Sequence, residues 1–510
     1  MIAPVTRRFA SMLVICIISA ALVQCSGGDP HGDEPSRAPA ATTEFRPAAV
    51  VQGLALSTAP YFESRDQTVA TYDLAQRTSL RSIRLPIAWG LVQPVDAGAY
   101  DWGVTDRIVD DAVARGLSIV ASIASTPAWA AAPGSSGPYA EPGDPQAFGR
   151  FVGAVAARYR GKITAYEMWN EPNGALFYNP TPDPVSYTAL LRAGYRAVKA
   201  VDPALPVIAG SLGAVVDSPS TRDPVAFLRS MYAAGAGGNF DALSFHPYKN
   251  DLSLSAAWLL RDSPGQQLTA IRKLMIANGD DRKKIWATEY GVPTSTVTEA
   301  RQNEMLTDFA EKWRELPYAG PVFYFTDRDL ATGDGDPENN FGLLRTDRSP
   351  KPALATLAGF ARDGVPDTPE FTRFQREPVE TSLGEIVSPV VPIANTGRFL
   401  RMHLNGAVYE TPVGFISAPA PVVARIAEFG TYPRTPLVAG RQDLANGLRV
   451  YYSPQTGAHV AGDGITSVWT PNLGLAITDE VPQSSGGVMV TFEHGFITWS
   501  SDVGGVATLR

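Results

Sequence analysis

A glutamate that ends an apolar run is the first candidate for chemistry in this chain. Residues 163–168 are mostly apolar and lead into Trp169-Asn170-Glu171-Pro172. An apolar run that stops at a polar cluster before a proline predicts a buried strand whose carboxyl end opens into a loop. A carboxyl group beside an aromatic ring is poorly hydrated, which favours its protonated form and suits a general acid. Glu171 is therefore a candidate acid, and a strand end that is merely polar is the simpler alternative.

A second apolar run of the same kind also ends in a glutamate. Residues 284–287 are followed by Thr288, Glu289 and Tyr290. If both runs are strands of one parallel barrel, their carboxyl ends lie on the same face, and Glu171 and Glu289 share one cleft. Two carboxyl groups across a cleft can cleave a glycosidic bond, because one protonates the leaving oxygen while the other attacks the sugar or activates water. A separation of about 5 Å predicts retention of anomeric configuration, and roughly 6.5–9.5 Å predicts inversion.

The sequence around these glutamates supplies the elements that a barrel needs. Short apolar runs alternate eight times with amphipathic segments, and the runs are too apolar to have one face in water. The predicted strands are Val50–Leu56, Ser82–Trp89, Ser118–Ser125, Ile163–Trp169, Pro206–Gly210, Phe240–His246, Lys284–Glu289 and Gly320–Thr326. The predicted helices include Trp102–Arg115, Pro145–Arg160, Pro184–Val201, Gly265–Ala277, Thr298–Glu315 and Lys351–Ala361. The predicted fold class is therefore α/β, a (β/α)8 TIM barrel.

The composition changes on both sides of this barrel. Residues 363–369 read as a linker, and residues 370–510 lose helical periodicity and gain Gly, Pro and β-forming residues, which predicts a smaller, mostly-β domain. Residues 25–46 are rich in small and polar residues and predict a flexible tether. The predicted domains are a signal peptide at 1–24, the tether at 25–46, the barrel at 47–362 and an accessory domain at 370–510.

The first residues have the pattern of an export signal. Arg7 and Arg8 precede an apolar run over residues 12–23, and Cys25 lies at its boundary. This pattern resembles a bacterial lipoprotein signal peptide with Cys25 as the lipidation site. It predicts an extracytoplasmic protein that is attached to the cell membrane through a lipidated N-terminus or is secreted. The apolar run is short for a membrane span.

Composition argues against several other classes of function. The chain has 43 Lys and Arg against 51 Asp and Glu, so it lacks the basic excess that nucleic acid phosphates require. Its two cysteines are Cys16 and Cys25, so no disulfide is expected once a signal peptide is removed. His246 is the one histidine in the predicted barrel, which excludes a site of several histidines for a metal. No metal and no cofactor are expected, because two carboxyl groups suffice for glycosidic cleavage.

Taken together, the strand ends resemble those of the clan A retaining glycoside hydrolases. The Trp-Asn-Glu-Pro motif at Glu171 and the Thr-Glu-Tyr motif at Glu289 are similar to the acid/base and nucleophile strands of the clan. Arg84 at the end of the second strand, and His246 and Tyr248 after the sixth, match the clan in type and place. The resemblance spans about residues 48–360.

Within the clan, one motif is similar to glycoside hydrolase family 39. It is Thr126-Pro127-Ala128-Trp129 after the third strand. The chain is also similar to family 5 cellulases, but that family usually keeps a histidine on the third strand and a tryptophan on the eighth. Residues 323–328 contain no tryptophan. Family 39 is therefore the preferred resemblance.

The resemblance implies a role for each residue of the site. It implies that Glu171 is the acid/base, that Glu289 is the nucleophile and that Asn170 binds the sugar 2-hydroxyl. Tyr248 would donate a hydrogen bond to the nucleophile, and Arg84 would keep it ionised. The other candidate substrate-binding residues are Trp89, Trp129, Trp169, His246 and Tyr290. A structural histidine, an ion pair without function at Arg84 and a core position for Trp89 are the alternatives.

The predicted accessory domain contains a weak internal repeat. Residues 447–460 align with residues 487–499 as an alternating strand followed by a turn. The segments resemble degenerate LGFP repeats, a module of cell-envelope enzymes in mycolate-containing bacteria, and this resemblance implies binding to cell-wall glycan. A plain β-sandwich accessory domain is the alternative.

The sequence as a whole predicts a retaining glycoside hydrolase that acts on an extracellular or cell-envelope polysaccharide or oligosaccharide. A non-catalytic carbohydrate-binding lipoprotein and a transglycosylase with the same site are the alternatives. A serine hydrolase is disfavoured, because Ala209-Gly210-Ser211-Leu212-Gly213 lacks the first glycine of the Gly-x-Ser-x-Gly motif.

Overall fold

The structure is a computed structural model that describes residues 53–377, 381–484 and 486–510. The predicted signal peptide, Cys25, the tether and residues 50–52 of the first predicted strand lie outside the described residues. Within these ranges, no helix combines the length and the apolar character needed to cross a membrane. The same ranges hold no group of three or more His, Cys, Asp or Glu side chains that could bind a metal ion.

Eight parallel strands close into a barrel in chain order, which confirms the predicted fold class. The strands are β1 (Leu54–Ser57), β2 (Ser82–Ala88), β3 (Ser118–Ala124), β4 (Ala165–Asn170), β5 (Val207–Gly213), β6 (Ala242–His246), β7 (Lys284–Tyr290) and β8 (Ala319–Phe325). Each overlaps a predicted strand. Because the barrel is parallel and closed, the carboxyl ends of all eight strands lie on one face.

Helices follow each strand of the barrel along the chain. They are α1 (Arg65–Arg77), α2 (Trp89–Val92), α3 (Gly103–Val113), α4 (Pro145–Arg158), α5 (Pro184–Val201), α6 (Pro224–Ala233), α7 (Leu254–Ala257), α8 (Pro264–Ala277), α9 (Glu299–Arg314) and α10 (Pro352–Asp363). Asp144 accepts a hydrogen bond from the backbone of Gln146, and Asp183 does the same for Val185. These aspartates cap α4 and α5 as expected from their place before a proline.

The inside of the barrel changes from apolar to polar toward the carboxyl ends of the strands. One buried layer consists of Ala55, Val120, Ala165, Ile208, Ala242, Trp286 and Phe323. Two residues further along four of these strands lie the buried polar side chains of Ser122, Glu167, Ser244 and Thr288. Buried polar groups must find hydrogen-bond partners within the protein, so this second layer forms a network beneath the open face.

The residues after the barrel form three antiparallel sheets with three short helices. The first sheet holds β9 (Ile386–Ile393), β10 (Arg398–His403), β11 (Gly406–Thr411) and β12 (Gly414–Pro419). The second holds β13 (Arg441–Asp443), β14 (Arg449–Ser453) and β15 (Gly457–Ala461), and the third holds β16 (Val481–Pro482), β17 (Val488–Phe492), β18 (Gly495–Ser500) and β19 (Gly504–Leu509). The helices are α11 (Pro369–Gln375), α12 (Ala420–Glu428) and α13 (Asp463–Thr466). The two segments of the weak repeat correspond to the hairpins β14–β15 and β17–β18.

The chain divides into two compact units. Among the described residues, one unit comprises residues 53–250, Arg282–Asn303 and Gly320–Gly364, and it contains the catalytic candidates. The other comprises Asp251–Asp281, Glu304–Ala319 and Val365–Arg510. The second unit therefore includes α7, α8 and most of α9, which fall in the predicted barrel range, as well as the three antiparallel sheets. Part of its core consists of Tyr451, Ala461, Ile465, Leu473, Ala476, Val490, Phe492 and Ile497.

We expect Gly320→Ala to destabilise the barrel by about 1–3 kcal/mol, because a methyl group there would overpack the apolar layer. An added Cβ would lie 2.3 Å from Trp286 Cδ1. The matched control is Gly359→Ala in α10, where an added Cβ meets no atom within 4 Å. This control should be neutral or stabilising by up to about 1 kcal/mol, because alanine favours a helix. Urea unfolding of both variants provides the measurement, and equal losses would contradict the assigned packing.

Candidate active site

The two predicted catalytic glutamates lie in one site on the open face of the barrel. Nδ1 of His246 is 2.9 Å from Glu171 Oε1 and 3.8 Å from Glu289 Oε2. These two carboxylate oxygens are therefore no further apart than the sum of the two distances, 6.7 Å. Each glutamate side chain is 16 % exposed, so both remain accessible to a ligand, whereas the histidine ring is fully buried between them.

Arg84 ties the nucleophile candidate to the rest of the site. Its Nε donates to Glu167 at 2.7 Å, Nη1 donates to Glu289 at 2.5 Å, and Nη2 donates to Asn170 Oδ1 at 2.7 Å. Burial opposes its charge, but the charges of Glu167 and Glu289 outweigh this effect and raise the pKa of Arg84 above its usual value. The guanidinium is therefore a permanent cation that holds three side chains in fixed orientations.

Glu167 is a site residue that the sequence analysis missed. It is fully buried and accepts hydrogen bonds from Arg84 and, at 2.6 Å, from Thr288 Oγ1. Burial alone would raise the pKa of Glu167, but the charge of Arg84 and the Thr288 hydrogen bond hold it below the usual value. A charged residue inside an apolar barrel strand has to be paired, so Glu167 was itself a signal for a buried partner on a neighbouring strand.

Tyr248 contacts the nucleophile candidate from the other side. Its hydroxyl donates to Glu289 Oε2 at 3.1 Å. Burial, followed by the charges of Glu289 and Glu171, raises the pKa of Tyr248 well above its usual value of 10.0, so the hydroxyl keeps its proton and stays a donor. Tyr290 stacks on the Tyr248 ring with centroids 6.2 Å apart and is itself fully buried. Tyr290 therefore packs behind Tyr248 in this structure, and its contact with substrate stays a prediction.

Asn170 has one side of its amide occupied by protein. Its Oδ1 accepts from Arg84 and, at 3.2 Å, from Ser211 Oγ. The side chain is half-buried at the carboxyl end of β4. The amide nitrogen is the group that Asn170 can offer to a sugar hydroxyl, as the resemblance implied.

The chain bends sharply where β4 delivers Glu171 to the site. Trp169 and Glu171 have positive φ angles of 77° and 43°. Side chains other than glycine rarely adopt this conformation, and such residues concentrate at functional sites. Glu171 also lies over Gly213 at the end of β5, where an added Cβ would be 3.2 Å from its Cδ. The absent side chain at Gly213 therefore leaves room for the carboxyl group.

The three predicted tryptophan platforms differ in exposure. Trp89 and Trp169 are fully buried, and their indole N–H groups donate to Gln93 Oε1 and to the Phe177 carbonyl oxygen. Aromatic packing covers both rings in this structure, and their contact with substrate stays a prediction. Trp129 is half-buried and packs edge-on against Trp89 with centroids 5.6 Å apart. It is the one of the three with an accessible ring.

A phenylalanine occupies the end of the eighth strand. Phe325 follows Phe323 by two residues, so it lies on the inner side of the barrel, one step closer to the open face. It is half-buried and packs against Phe341 with centroids 5.5 Å apart. Sequence reasoning sought a tryptophan at this place and overlooked the phenylalanine, although the alternation along β8 would have indicated it.

Glu338 is a third carboxyl group near the glutamate pair and was also missed. It lies in a short 3-10 helix, Pro337–Asn339, in the loop between β8 and α10. Burial, followed by the negative charges of Glu289, Asp336 and Glu171, raises the pKa of Glu338 to about 7. Its charge therefore changes near neutral pH. Loop residues far from a motif give no sequence signal of this kind, because loop conformation brings them to the site.

A buried ion pair holds this loop in place. Lys351 Nζ donates to Asp329 Oδ1 at 2.8 Å, and both side chains are fully buried. The same ammonium group donates to the carbonyl oxygen of Asn340, and Asp329 also accepts from the backbone N–H of Gly342. Phe341 packs against Tyr248, so the loop is anchored next to the site on both sides of its tip.

We expect Glu338→Gln to gain stability over the wild type as the pH rises. A carboxyl group whose pKa is raised on folding stabilises the fold below its unfolded value of 4.5, and this contribution is lost as the pH rises through about 7. The free energy of unfolding of the wild type should fall by roughly 3 kcal/mol relative to that of the variant between pH 4.5 and about 7. Urea unfolding at several pH values provides the measurement, and parallel stability curves would contradict the assignment.

Similarity to known proteins agrees with this geometry. A family model described as cellulase, glycosyl hydrolase family 5, matches residues 43–319. The match ends at the start of β8, the strand that lacks the expected tryptophan. None of the curated proteins compared matches this chain.

Similar solved structures share the fold at low sequence identity. A family 39 glycoside hydrolase from the gut symbiont Bacteroides cellulosilyticus WH2 is 18 % identical over 82 % of this chain and 80 % of that chain, with a TM-score of 0.52. GH5_18 from Streptomyces cattleya, solved in complex with GlcNAc, is 18 % identical over 63 % and 82 %, with a TM-score of 0.47. The exo-beta-1,4-mannosidase Op5Man5 from Opitutaceae bacterium strain TAV5 is 16 % identical over 64 % and 62 %, with a TM-score of 0.45.

The predicted resemblance to clan A is confirmed. The local motifs favoured family 39 over family 5, whereas the family model that matches the chain is that of family 5. This model covers more than half of the chain. The chain therefore belongs to glycosyl hydrolase family 5.

Proposed function

We propose that this glycosidase is a retaining enzyme in which Glu289 is the nucleophile and Glu171 the acid/base. The observation that carries the proposal is the contact of both carboxyl groups with one nitrogen of His246, which limits their nearest oxygens to 6.7 Å. This upper limit lies at the short end of the range of roughly 6.5–9.5 Å that separates the carboxyl groups of inverting enzymes, and it admits the separation of about 5 Å found in retaining ones. Inversion needs room for a water molecule between the carboxyl group and the sugar, and retention does not.

In the first step, Glu289 attacks the anomeric carbon while Glu171 gives its proton to the glycosidic oxygen. The bond between the anomeric carbon and that oxygen breaks, and a glycosyl ester forms on Glu289. Arg84 and Tyr248 donate to different oxygens of Glu289, so they fix its orientation before the attack.

In the second step, water replaces the leaving sugar. Glu171, now a carboxylate, takes a proton from this water, and the resulting hydroxide attacks the anomeric carbon and releases Glu289. Asn170 would bind the sugar 2-hydroxyl through its amide nitrogen, since its oxygen is held by Arg84 and Ser211. A hydrogen bond to that hydroxyl tightens at the transition state and contributes several kcal/mol.

The charges of the site favour a neutral sugar as substrate. Arg84 is balanced by Glu167 and Glu289, and Glu171 and Glu338 add further carboxyl groups. A uronic acid would place its own carboxylate among these groups and meet repulsion. Trp129 and Phe325 are two half-buried aromatic residues on which an uncharged sugar ring could stack.

The place of action is proposed from the sequence. The lipoprotein-like signal and Cys25 favour export and attachment at the cell envelope, and thus a polysaccharide or oligosaccharide found there. The β-rich sheets after the barrel are proposed to bind glycan of the cell wall. Transglycosylation would use the same two steps with a sugar in place of water.

We expect a covalent sugar on Glu289 after incubation of the full-length protein with activated 2-deoxy-2-fluoro glycosides. The fluorine slows both steps, but an activated leaving group restores the first, so the ester accumulates. Peptide mass mapping provides the measurement, and neutral glycosides should react faster than a glucuronide. Glu289→Ala should be folded, unlabelled and inactive. A label on another residue, or activity in Glu289→Ala, would refute the assignment.

We expect Glu171→Gln to lose activity mainly on substrates with poor leaving groups. Such substrates need protonation of the leaving oxygen, a contribution of typically 100- to 10,000-fold, whereas a good leaving group departs without it. Measurement of kcat/KM for a series of aryl glycosides tests this dependence. Equal losses on good and poor leaving groups would refute the acid role.

A further inference from the structure

A continuous chain of hydrogen bonds links buried Glu167 to the proposed acid. Thr288 Oγ1 is 2.6 Å from Glu167 Oε1 and 2.9 Å from His246 Nε2. On the other side of the ring, Nδ1 is 2.9 Å from Glu171 Oε1. Glu167, Thr288 and His246 are all fully buried, so water does not compete for these contacts.

We propose that Glu167 and Thr288 are positioning residues that fix the proton of His246 on Nε2, so that Nδ1 accepts a hydrogen bond from protonated Glu171. This proposal rests on the role of Glu171 as acid/base. It adds to that role a set of hydrogen bonds from β4, β6 and β7 that keeps the acid protonated before each turnover.

Glu167 determines which atom donates in each hydrogen bond of this series. Arg84 Nε donates to it at 2.7 Å within a buried ion pair, which stabilises the ionised carboxylate. An ionised carboxylate can only accept hydrogen bonds. The single hydroxyl proton of Thr288 is therefore directed to Glu167.

The Thr288 oxygen can then act only as an acceptor toward its other neighbours. Ser244 Oγ lies 2.5 Å from it and His246 Nε2 lies 2.9 Å from it. A hydroxyl oxygen has two lone pairs, so both neighbours can donate to it. An unprotonated Nε2 would place two lone pairs against each other. His246 therefore carries its proton on Nε2.

This tautomer also determines which group donates in the contact between His246 Nδ1 and Glu171. A neutral imidazole has one N–H group, so Nδ1 presents a lone pair to Glu171. Two acceptors 2.9 Å apart would repel, so the proton in this contact belongs to Glu171. The histidine ring is fully buried, and a second proton on it would place a charge where water cannot solvate it.

Other charged or titratable groups surround this pair and act on it. They are Glu167 on β4, Arg84 on β2, Glu289 on β7, Tyr248 after β6 and Glu338 in the loop after β8. The carboxylate of Glu289 is 3.8 Å from Nδ1 and disfavours a second negative charge on Glu171. In turnover, the proton leaves Glu171 for the glycosidic oxygen and is replaced from water.

We expect Thr288→Val to move the basic limb of the pH profile to lower pH. The methyl group leaves the buried Nε2–H without an acceptor, so the proton moves to Nδ1, donates to Glu171 and favours its ionised form. The limb for kcat/KM on a substrate with a poor leaving group should shift down by about one pH unit. For a substrate with a good leaving group, kcat/KM should show little loss. Thr288→Ser retains the hydroxyl and should keep the limb at its wild-type position.

A spectroscopic measurement tests the tautomer without any assay of activity. Histidine labelled with 15N in the full-length protein should show His246 protonated on Nε2 alone in the wild type and on Nδ1 in Thr288→Val. The His246→Asn variant identifies the signal. A doubly protonated ring or an Nδ1–H tautomer in the wild type would overturn the proposal, as would an unshifted basic limb in a folded Thr288→Val. Because the wild-type spectrum needs no substrate, it separates this proposal from the proposed function.

Discussion

The site depends on the buried ion pair between Arg84 and Glu167. An arginine on the inner side of a barrel strand loses its hydration, and only a close carboxylate and further acceptors offset that loss. Glu167 supplies this charge from two strands away, and the remaining N–H groups of Arg84 then reach Glu289 and Asn170. Removal of either partner would leave the other charge buried and unpaired. The pair is therefore needed both to position the candidate nucleophile Glu289 and to keep the interior of the barrel stable.

Above the apolar layer, the polar layer places hydrogen-bonded, buried side chains on four of the eight strands. The buried serine and threonine hydroxyls connect the charged groups, so the two candidate catalytic glutamates are linked through protein atoms from below and remain accessible from above. Orientation is therefore determined before substrate binds, which is the arrangement that lowers the cost of reaching the transition state.

Sequence reasoning succeeded where a pattern is local and failed where exposure or loop position decides. Apolar runs that end in polar residues indicated eight strands, and Glu171 and Glu289 followed from their place at two strand ends. The same place made Trp89 and Trp169 look like sugar platforms, but the inner or outer direction of a residue at a strand end depends on bends such as the positive φ at Trp169. Glu338 comes to the site through a folded loop, which no spacing in the sequence reveals.

The strained backbone around Glu171 has a consequence for engineering of the enzyme. Residues with positive φ at non-glycine positions cost of order 1–3 kcal/mol each, and Trp169 and Glu171 both have them. Substitutions that relax this turn would therefore raise thermal stability at the expense of catalytic geometry, the trade-off common to stabilised active sites. A search for thermostable variants would do better to leave residues 169–171 unchanged and to work on the helices that surround the barrel.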